Sequence, residues 1–112
     1  RMLISRAVHS VDAAARAERD GADLVLAGTL FATESKVGSP LLGLDGLRAI
    51  SAQVEAPVIA IGGIKQHNAA EAIRAGAAGV AAISAIAGAA NPREAASELR
   101  RAIDDAYMRG VA

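Results

Sequence analysis

Cysteine is absent from this chain of 112 residues, and aromatic residues are almost absent: one Phe, one Tyr and no Trp. The lack of cysteine excludes disulfides, thiolate metal ligands and cysteine nucleophiles. The lack of aromatics argues against a surface on which nucleic-acid bases stack. The 12 basic and 12 acidic residues cancel, which argues against a partner held by bulk charge. We therefore expect no nucleic-acid partner.

Long apolar runs are also absent. No run approaches the roughly 20 residues that a membrane-spanning helix needs, and the N-terminal residues lack the pattern of a signal peptide. We therefore expect no membrane partner and a cytoplasmic location. The length suits one small domain over residues 1–112. Because the first residue is Arg and not Met, we expect the chain to be a piece of something longer.

A short apolar run over residues 57–61, closed by Gly62 and Gly63, is the clearest structural signal in the sequence. Its length and its β-branched residues predict a strand rather than a helix. Continuous apolar character is typical of a strand buried on both faces of a parallel sheet. The paired glycines permit a tight turn and a close approach between the backbone and a ligand.

Strand and helix signals alternate along the chain. Ser10 and Asn91-Pro92 are helix start signals, and Gly21 and Gly76 are helix stop signals. The predicted strands are 2–8, 23–28, 57–61 and 79–83, and the predicted helices are 11–20, 44–53, 66–75 and one from 91 that frays from Arg109. We also allow one short helical turn after Ser84. This alternation predicts parallel strands joined by right-handed crossovers.

The spacing of two strand signals suggests a repeat. Gly21 before Val25 matches Gly76 before Val80, 55 residues later, which is the length of two βα units. A pairwise repeat of βα units suits half of a barrel, and a complete (β/α)₈ barrel takes about 250 residues. Either the other half lies outside this chain, or an open four-stranded sheet stands alone or pairs with a copy.

Two neighbouring strand ends are candidates for binding an anion. The amide of Gly63 could donate to a phosphate, and Ile83 and Ser84 could complete the site with their amides and the Ser84 hydroxyl. The alternative for Gly62 and Gly63 is a tight turn with no ligand. Barrel phosphate sites recur in the loops after strands seven and eight. The two candidates therefore support each other if these strands are the last two of a barrel.

The segment 29–43 lacks an apolar period and is long for a βα connection, which is typical of functional or disordered loops. Within it, Thr33, Ser35 and Lys36 could hold a diphosphate through two hydroxyls and an ammonium. On composition alone, an ordinary solvated loop is favoured.

Three other polar residues are considered. His9 ends the first strand and could be a site residue or a neighbour of the helix start, of which we favour the structural interpretation. We assign no role to His67 and place Asp45 in a first helical turn, where a carboxylate favours the helix dipole. No paired-carboxylate motif for a metal ion occurs in the segment.

An ordered series of short motifs gives most of residues 7–86 a resemblance to a known family. The motifs are Ala7-Val8-His9-Ser10, Gly21-Ala22-Asp23-Leu24-Val25, Phe31-Ala32-Thr33-Glu34-Ser35-Lys36, Gly43-Leu44-Asp45-Gly46-Leu47, Pro57-Val58-Ile59-Ala60-Ile61-Gly62-Gly63-Ile64, Asn68-Ala69-Ala70, Gly76-Ala77-Ala78-Gly79-Val80 and Ile83-Ser84-Ala85-Ile86. On these motifs the chain resembles the C-terminal half of the thiamine-phosphate synthase family, which includes a thiazole tautomerase branch. The resemblance implies an α/β fold, a parallel (βα)₄ unit forming strands five to eight of a (β/α)₈ TIM barrel.

The resemblance also implies ligands. Synthases of this family join hydroxymethylpyrimidine diphosphate to thiazole phosphate and release pyrophosphate with Mg²⁺. By position, the diphosphate would be held by Thr33, Ser35 and Lys36, and the thiazole phosphate by Gly62, Gly63, Ile83 and Ser84. The Mg²⁺ ligands belong to the family's N-terminal half. The implied partners are therefore phosphorylated small molecules and either the missing N-terminal half-barrel or a second copy of the chain.

Three positions depart from the family pattern. Thr29 stands where synthases have Pro and tautomerases have their catalytic His. Ala32 replaces a Pro, and Ala7 replaces a Ser that contacts diphosphate. Three interpretations stay open: a synthase, a tautomerase without its His, and a non-catalytic phosphate-binding domain. We expect the isolated segment to be inactive, because the metal and pyrimidine ligands lie in the absent half.

Overall fold

The computed structural model describes residues 2–32 and 40–111, in which four strands alternate with helices. The strands are β1 (Ser5–Val8), β2 (Leu24–Ala27), β3 (Val58–Ile61) and β4 (Gly79–Ala81). The helices are α1 (Val11–Arg19), α2 (Gly43–Gln53), α3 (Ala69–Arg74), α4 (Ile83–Ala87) and α5 (Pro92–Val111). The sheet order is β1-β2-β3-β4 and every pair is parallel. The predicted parallel (βα)₄ arrangement is therefore confirmed.

The core lies between one face of the sheet and the helices. Val25 and Ala27 of β2 share this face with Val58 and Ala60 of β3, because side chains alternate along a strand, and all four are at most 3% exposed. They form one cluster with residues from four helices, among them Ala14, Leu47, Ile50, Ala72 and Leu99. Burial of a Leu or Ile side chain contributes about 1.5–3 kcal/mol to stability.

The other face of the sheet is also apolar but only partly buried. Leu24 and Leu26 of β2 and Ile59 and Ile61 of β3 alternate with the core residues, and Leu26 pairs with Ile59 in register. In the described part of the chain, none of these four belongs to the core cluster or packs against it. Helices therefore cover one side of the sheet, and the second apolar side is the one that would line the inside of a barrel.

Local capping explains four of the helix ends. Ser10 Oγ accepts a hydrogen bond from the Ala13 amide at 3.1 Å, and Asn91 Oδ1 accepts one from the Glu94 amide at 3.1 Å. Gly21, at φ +95°, follows α1, and Gly76, at φ +113°, follows α3. The start and stop signals read from the sequence are confirmed at these four residues.

Two predicted element starts are wrong. The first strand begins at Ser5 and not at residue 2, because pairing begins where Ser5 lies opposite Leu24. Met2 and Leu3 are 85% and 74% exposed. α3 begins at Ala69 and not at residue 66, because residues 66–68 form a turn held by the side chain of Asn68.

Two predicted element ends are also wrong. β4 ends at Ala81, opposite the last residue of β3, so Ile83 and Ser84 begin α4 and do not end a strand. α5 does not fray from Arg109 but continues to Val111, and Arg109 forms an ion pair with Asp105 one turn earlier at 3.0 Å. None of the helices within the described ranges is long and apolar enough to cross a membrane.

Candidate functional site

The turn after β3 is the centre of the candidate site. Gly62 has φ +103° and Gly63 has φ +67°, conformations that glycine adopts without the penalty of a side chain. The turn packs against the segment that follows β2. The Leu30 amide donates to the Ile61 carbonyl at 3.0 Å, and the Phe31 amide donates to the Gly62 carbonyl at 3.0 Å. Two consecutive βα turns are therefore joined backbone to backbone at the carboxyl edge of the sheet.

Close packing as well as φ requires glycine at both positions. A Cβ atom at Gly62 would lie 2.6 Å from the Thr29 methyl carbon and 2.9 Å from Thr29 Cα. A Cβ atom at Gly63 would lie 2.8 Å from both the Cβ and the carbonyl oxygen of Phe31. Because most of these neighbours are backbone or Cβ atoms, they cannot move aside cheaply. Thr29 and Phe31 therefore form the wall behind the glycine turn.

The glycine amides are available to a ligand. Within residues 2–32 and 40–111, no hydrogen bond engages the N–H of Gly62 or Gly63. Both residues are partly exposed. Adjacent backbone amides without protein acceptors, in a turn with positive φ, are the donors from which anion-binding nests are built.

Asn68 holds the far end of this turn; it stands in one of the family motifs, but no role was predicted for it. Its side-chain Oδ1 accepts from the Lys65 amide at 2.7 Å, and its Nδ2 donates to the Gly63 carbonyl at 3.0 Å. Asn68 is 9% exposed. A signal was present, since an Asn directly before a helix is an ordinary N-cap residue. Here, however, the side chain turns back to the glycine turn and makes no capping bond to α3.

The two predicted phosphate-binding strand ends are neighbours in the structure. Ile61 pairs with Ala81, so Gly62 and Gly63 leave the sheet beside Ala82 and the start of α4. The predicted residues Gly62, Gly63, Ile83 and Ser84 therefore follow two neighbouring strands at the same edge of the sheet. Whether these residues bind phosphate stays a prediction.

The predicted diphosphate residues Thr33, Ser35 and Lys36 lie outside the described residues. The segments on either side of them meet at the same edge of the sheet, since the Leu42 amide donates to the Thr29 carbonyl at 2.7 Å. Their role stays a prediction.

His9 supports the same edge from β1. Its Nδ1 lies 2.6 Å from the Gly28 carbonyl oxygen, and because a carbonyl only accepts, Nδ1 carries the proton in this contact. This tie between the ends of β1 and β2 agrees with the structural interpretation of His9. His67 is exposed in the turn before α3. Asp45 lies in the first turn of α2 and pairs with Arg48 at 2.8 Å.

A metal-binding cluster is not found in the described ranges, where no group of three or more His, Cys, Asp or Glu residues is placed to hold an ion. The donor chemistry around the glycine turn consists of backbone amides, which suit an anion and not a cation. These residues therefore do not fit a Mg²⁺ site.

The fold and this edge of the sheet define a class of protein: a parallel α/β half-barrel with a glycine turn suited to an anion at its carboxyl end. The sequence model of one family, described as thiamine monophosphate synthase, matches residues 1–86. The chain belongs to this family.

Individual relatives agree with this assignment. A thiamine-phosphate synthase of Pyrococcus furiosus is 42% identical over 104 residues, which are 93% of this chain and 50% of that protein. One of Moorella thermoacetica is 52% identical over 96 residues, 84% of this chain and 45% of that protein. The solved structure of thiamine phosphate pyrophosphorylase from Pyrococcus furiosus is similar with a TM-score of 0.86 and 41% identity, over 94% of this chain and 50% of that one.

These comparisons confirm the predicted family and the half-barrel fold. The chain spans about half the length of the curated relatives it matches. The numbering of its strands as five to eight stays a prediction.

Proposed function

We propose that this chain supplies one half of the active site of a thiamine-phosphate synthase, which couples hydroxymethylpyrimidine diphosphate to thiazole phosphate and releases pyrophosphate. The single observation that carries the proposal is the Gly62–Gly63 turn at the carboxyl edge of the sheet, whose two amides have no hydrogen-bond acceptor within residues 2–32 and 40–111. Relatives named thiamine-phosphate synthase, at up to 52% identity, support the assignment. We place such an enzyme in the cytoplasm as part of the same proposal.

The glycine turn binds the phosphate of the thiazole substrate in this proposal. The Gly63 amide donates to a phosphate oxygen, and the amides of Ile83 and Ser84, one strand away, approach the same oxygens. The Thr29 and Phe31 wall keeps the turn in place, so that little backbone order is lost when the ligand binds. The bound phosphate anchors the thiazole ring at a fixed distance from the opposite substrate.

The long loop binds the diphosphate of the pyrimidine substrate. The hydroxyls of Thr33 and Ser35 donate to its oxygens, and the Lys36 ammonium supplies countercharge. In a dissociative displacement, stabilisation of the leaving pyrophosphate matters more than a general base. These residues therefore hold the charge that develops as the pyrophosphate leaves.

Mg²⁺ and the pyrimidine site belong to the other half of the barrel in this proposal. The described residues contain no carboxylate cluster that would hold the ion, so no step here is assigned to it. The required partner is an N-terminal half-barrel, on the same chain or on another, or a second copy of this chain. The 112-residue chain alone is expected to be inactive.

Reconstitution tests the proposal. The chain is mixed with, or fused to, the N-terminal half of the Moorella thermoacetica synthase, and the release of pyrophosphate from the two substrates is measured. We expect turnover by the combination and none by either half alone. Absence of turnover from a combination that is folded and associated would contradict the synthase assignment, as would turnover by this chain alone.

A second function, a non-catalytic domain that binds a phosphorylated ligand, is favoured by one specific observation. The glycine turn is intact, whereas Ala7, Thr29 and Ala32 depart from the family pattern at the diphosphate side. Calorimetric titration separates the two functions. A synthase half binds thiazole phosphate and contributes to binding of the pyrimidine diphosphate after reconstitution, whereas a binding domain takes only the thiazole phosphate in both states.

A further inference from the structure

The buried side chain of Asn68 contacts the glycine turn but has no role in the function proposed above. It is the one polar residue among the buried residues of the described chain, and it makes both of its side-chain contacts to the backbone of the glycine turn. A buried amide group is costly unless its donors and acceptors are satisfied. Its position in the core therefore calls for an explanation beyond the packing of α3.

The contacts of Asn68 close a ring around residues 63–68. Oδ1 accepts from the Lys65 amide, and the Asn68 amide donates to the Lys65 carbonyl at 3.1 Å. Nδ2 donates to the carbonyl of Gly63, the residue whose own amide finds no acceptor among the described residues. One side chain thus fixes the peptide planes on both sides of Ile64.

The peptide groups on both sides of Gly63 are held by hydrogen bonds. Asn68 Nδ2 holds the carbonyl of the peptide between Gly63 and Ile64, and the Phe31 amide holds the carbonyl of the peptide between Gly62 and Gly63. The Gly62 carbonyl and the Gly63 amide belong to the same peptide group. The direction of the Gly63 N–H is therefore set by Phe31 and Asn68 together, although Gly63 itself, lacking a side chain, has broad conformational freedom.

We propose that Asn68 is a positioning residue, which holds the Gly63 amide towards the bound phosphate. This inference rests on the proposed phosphate site. Only an amide side chain supplies the acceptor for Lys65 and the donor for Gly63 at the same time, since an ionised carboxylate of the same shape has no donor. Without Asn68 the turn samples other peptide orientations. Phosphate then binds more weakly, because part of the binding free energy is used to order the turn.

The test follows the Gly63 amide directly. The ¹⁵N-labelled chain is titrated with inorganic phosphate at constant ionic strength, and the shift of the Gly63 resonance gives the dissociation constant. For Asn68→Ala we expect binding weaker by about tenfold, the effect of losing one hydrogen-bonded group from a buried network. Asn91→Ala is the matched control, since Asn91 makes the same kind of side-chain contact at the remote start of α5. It is expected to bind as the parent does.

A second variant keeps the test decisive if Asn68→Ala does not fold. Asn68→Asp keeps the shape and the acceptor for the Lys65 amide but removes the donor to Gly63, and we expect it to bind about as weakly as Asn68→Ala. Gln66→Glu controls for charge, because it adds the same negative charge at an exposed position two residues away. It is expected to stay within about threefold of the parent, because an interaction between solvent-exposed charges is weak.

The outcomes separate the two proposals. If the Gly63 resonance of the parent does not shift with phosphate, the proposed phosphate site is wrong, and so is the proposed role of Asn68. If the parent binds and the folded Asn68 variants bind equally well, only the positioning role is wrong. Equal weakening by Asn91→Ala, or failure of both Asn68 variants to fold, would show that Asn68 serves general stability, and this too would overturn the inference.

Discussion

At the scale of single residues, Gly63 combines a positive φ with tight packing against Phe31, and the two effects can be separated by mutation. For Gly63→Ala we expect the free energy of unfolding to fall by about 2–4 kcal/mol, from backbone strain plus overpacking against Phe31. The measurement is urea denaturation followed by circular dichroism.

Gly21→Ala is the control for Gly63→Ala. Gly21 has φ +95°, and a Cβ atom there would meet nothing within 4 Å. We expect a loss of about 1–2 kcal/mol from strain alone. Because φ +95° is at least as unfavourable for alanine as φ +67°, a larger loss at Gly63 reports the packing. Equal losses would mean that the close contacts with Phe31 are relieved at no cost.

Glu18 is a second residue whose contribution to stability depends on a contact between residues that are distant in sequence. Its Oε2 accepts from the amides of Glu55 at 2.6 Å and Ala56 at 2.8 Å, so α1 holds the connection between α2 and β3. Glu18→Ala leaves two amides without this partner, and we expect a loss of about 1–2 kcal/mol of unfolding free energy.

The matched control for Glu18 is Glu98→Ala. Glu98 lies within α5, and no side-chain hydrogen bond or ion pair joins it to another described residue. Its replacement is expected to change the unfolding free energy by less than about 0.5 kcal/mol. A loss at Glu98 as large as that at Glu18 would show that the effect comes from removal of a helical carboxylate and not from the two amide bonds.

At the scale of elements, α5 packs on the core through one face and exposes another. Leu99 is 6% exposed and belongs to the core cluster, whereas Met108 is 70% exposed on the same helix. We expect Leu99→Ala to lower the unfolding free energy by about 2–4 kcal/mol, from lost burial and the cavity left behind. Met108→Ala should change it little. Similar losses from both, measured by urea denaturation, would mean that α5 does not dock through its Leu99 face.

Element starts and ends show which features the sequence predicts. Helix caps such as Ser10 and Asn91 are local, with donor and acceptor three residues apart, and they were predicted correctly. The start of β1 and the end of β4 were predicted wrongly. A strand extends only as far as it pairs with its neighbour in the sheet, and that neighbour is distant in sequence. The glycine turn was predicted from local composition, whereas the contacts of Asn68 depend on the actual path of the turn.

At the scale of the whole molecule, the half-barrel has two open edges and one uncovered apolar face. β1 and β4 are the edge strands, and unpaired edges favour association with another chain. Leu24, Leu26, Ile59 and Ile61 line the face away from the helices, outside the core cluster. Because the curated relatives are about twice as long, we expect this face to be covered by a complementary half-barrel or by a second copy.

Replacement of Ile59, in the middle of that face, tests this expectation. Sedimentation of the parent chain should show a dimer or larger species, or a 1:1 complex when an N-terminal half-barrel is added. Ile59→Glu places a carboxylate where the partner would desolvate it, and we expect association to weaken by more than about a hundredfold.

Met108→Glu makes the same kind of change on the exposed side of α5 and should associate as the parent does. Circular dichroism establishes that both variants remain folded. If the parent sediments as a monodisperse monomer and also fails to bind an N-terminal half-barrel, the uncovered face is not an interface. The four-stranded sheet would then be stable with one apolar face in water, and the reconstituted barrel on which the proposed synthase activity depends could not form through this face.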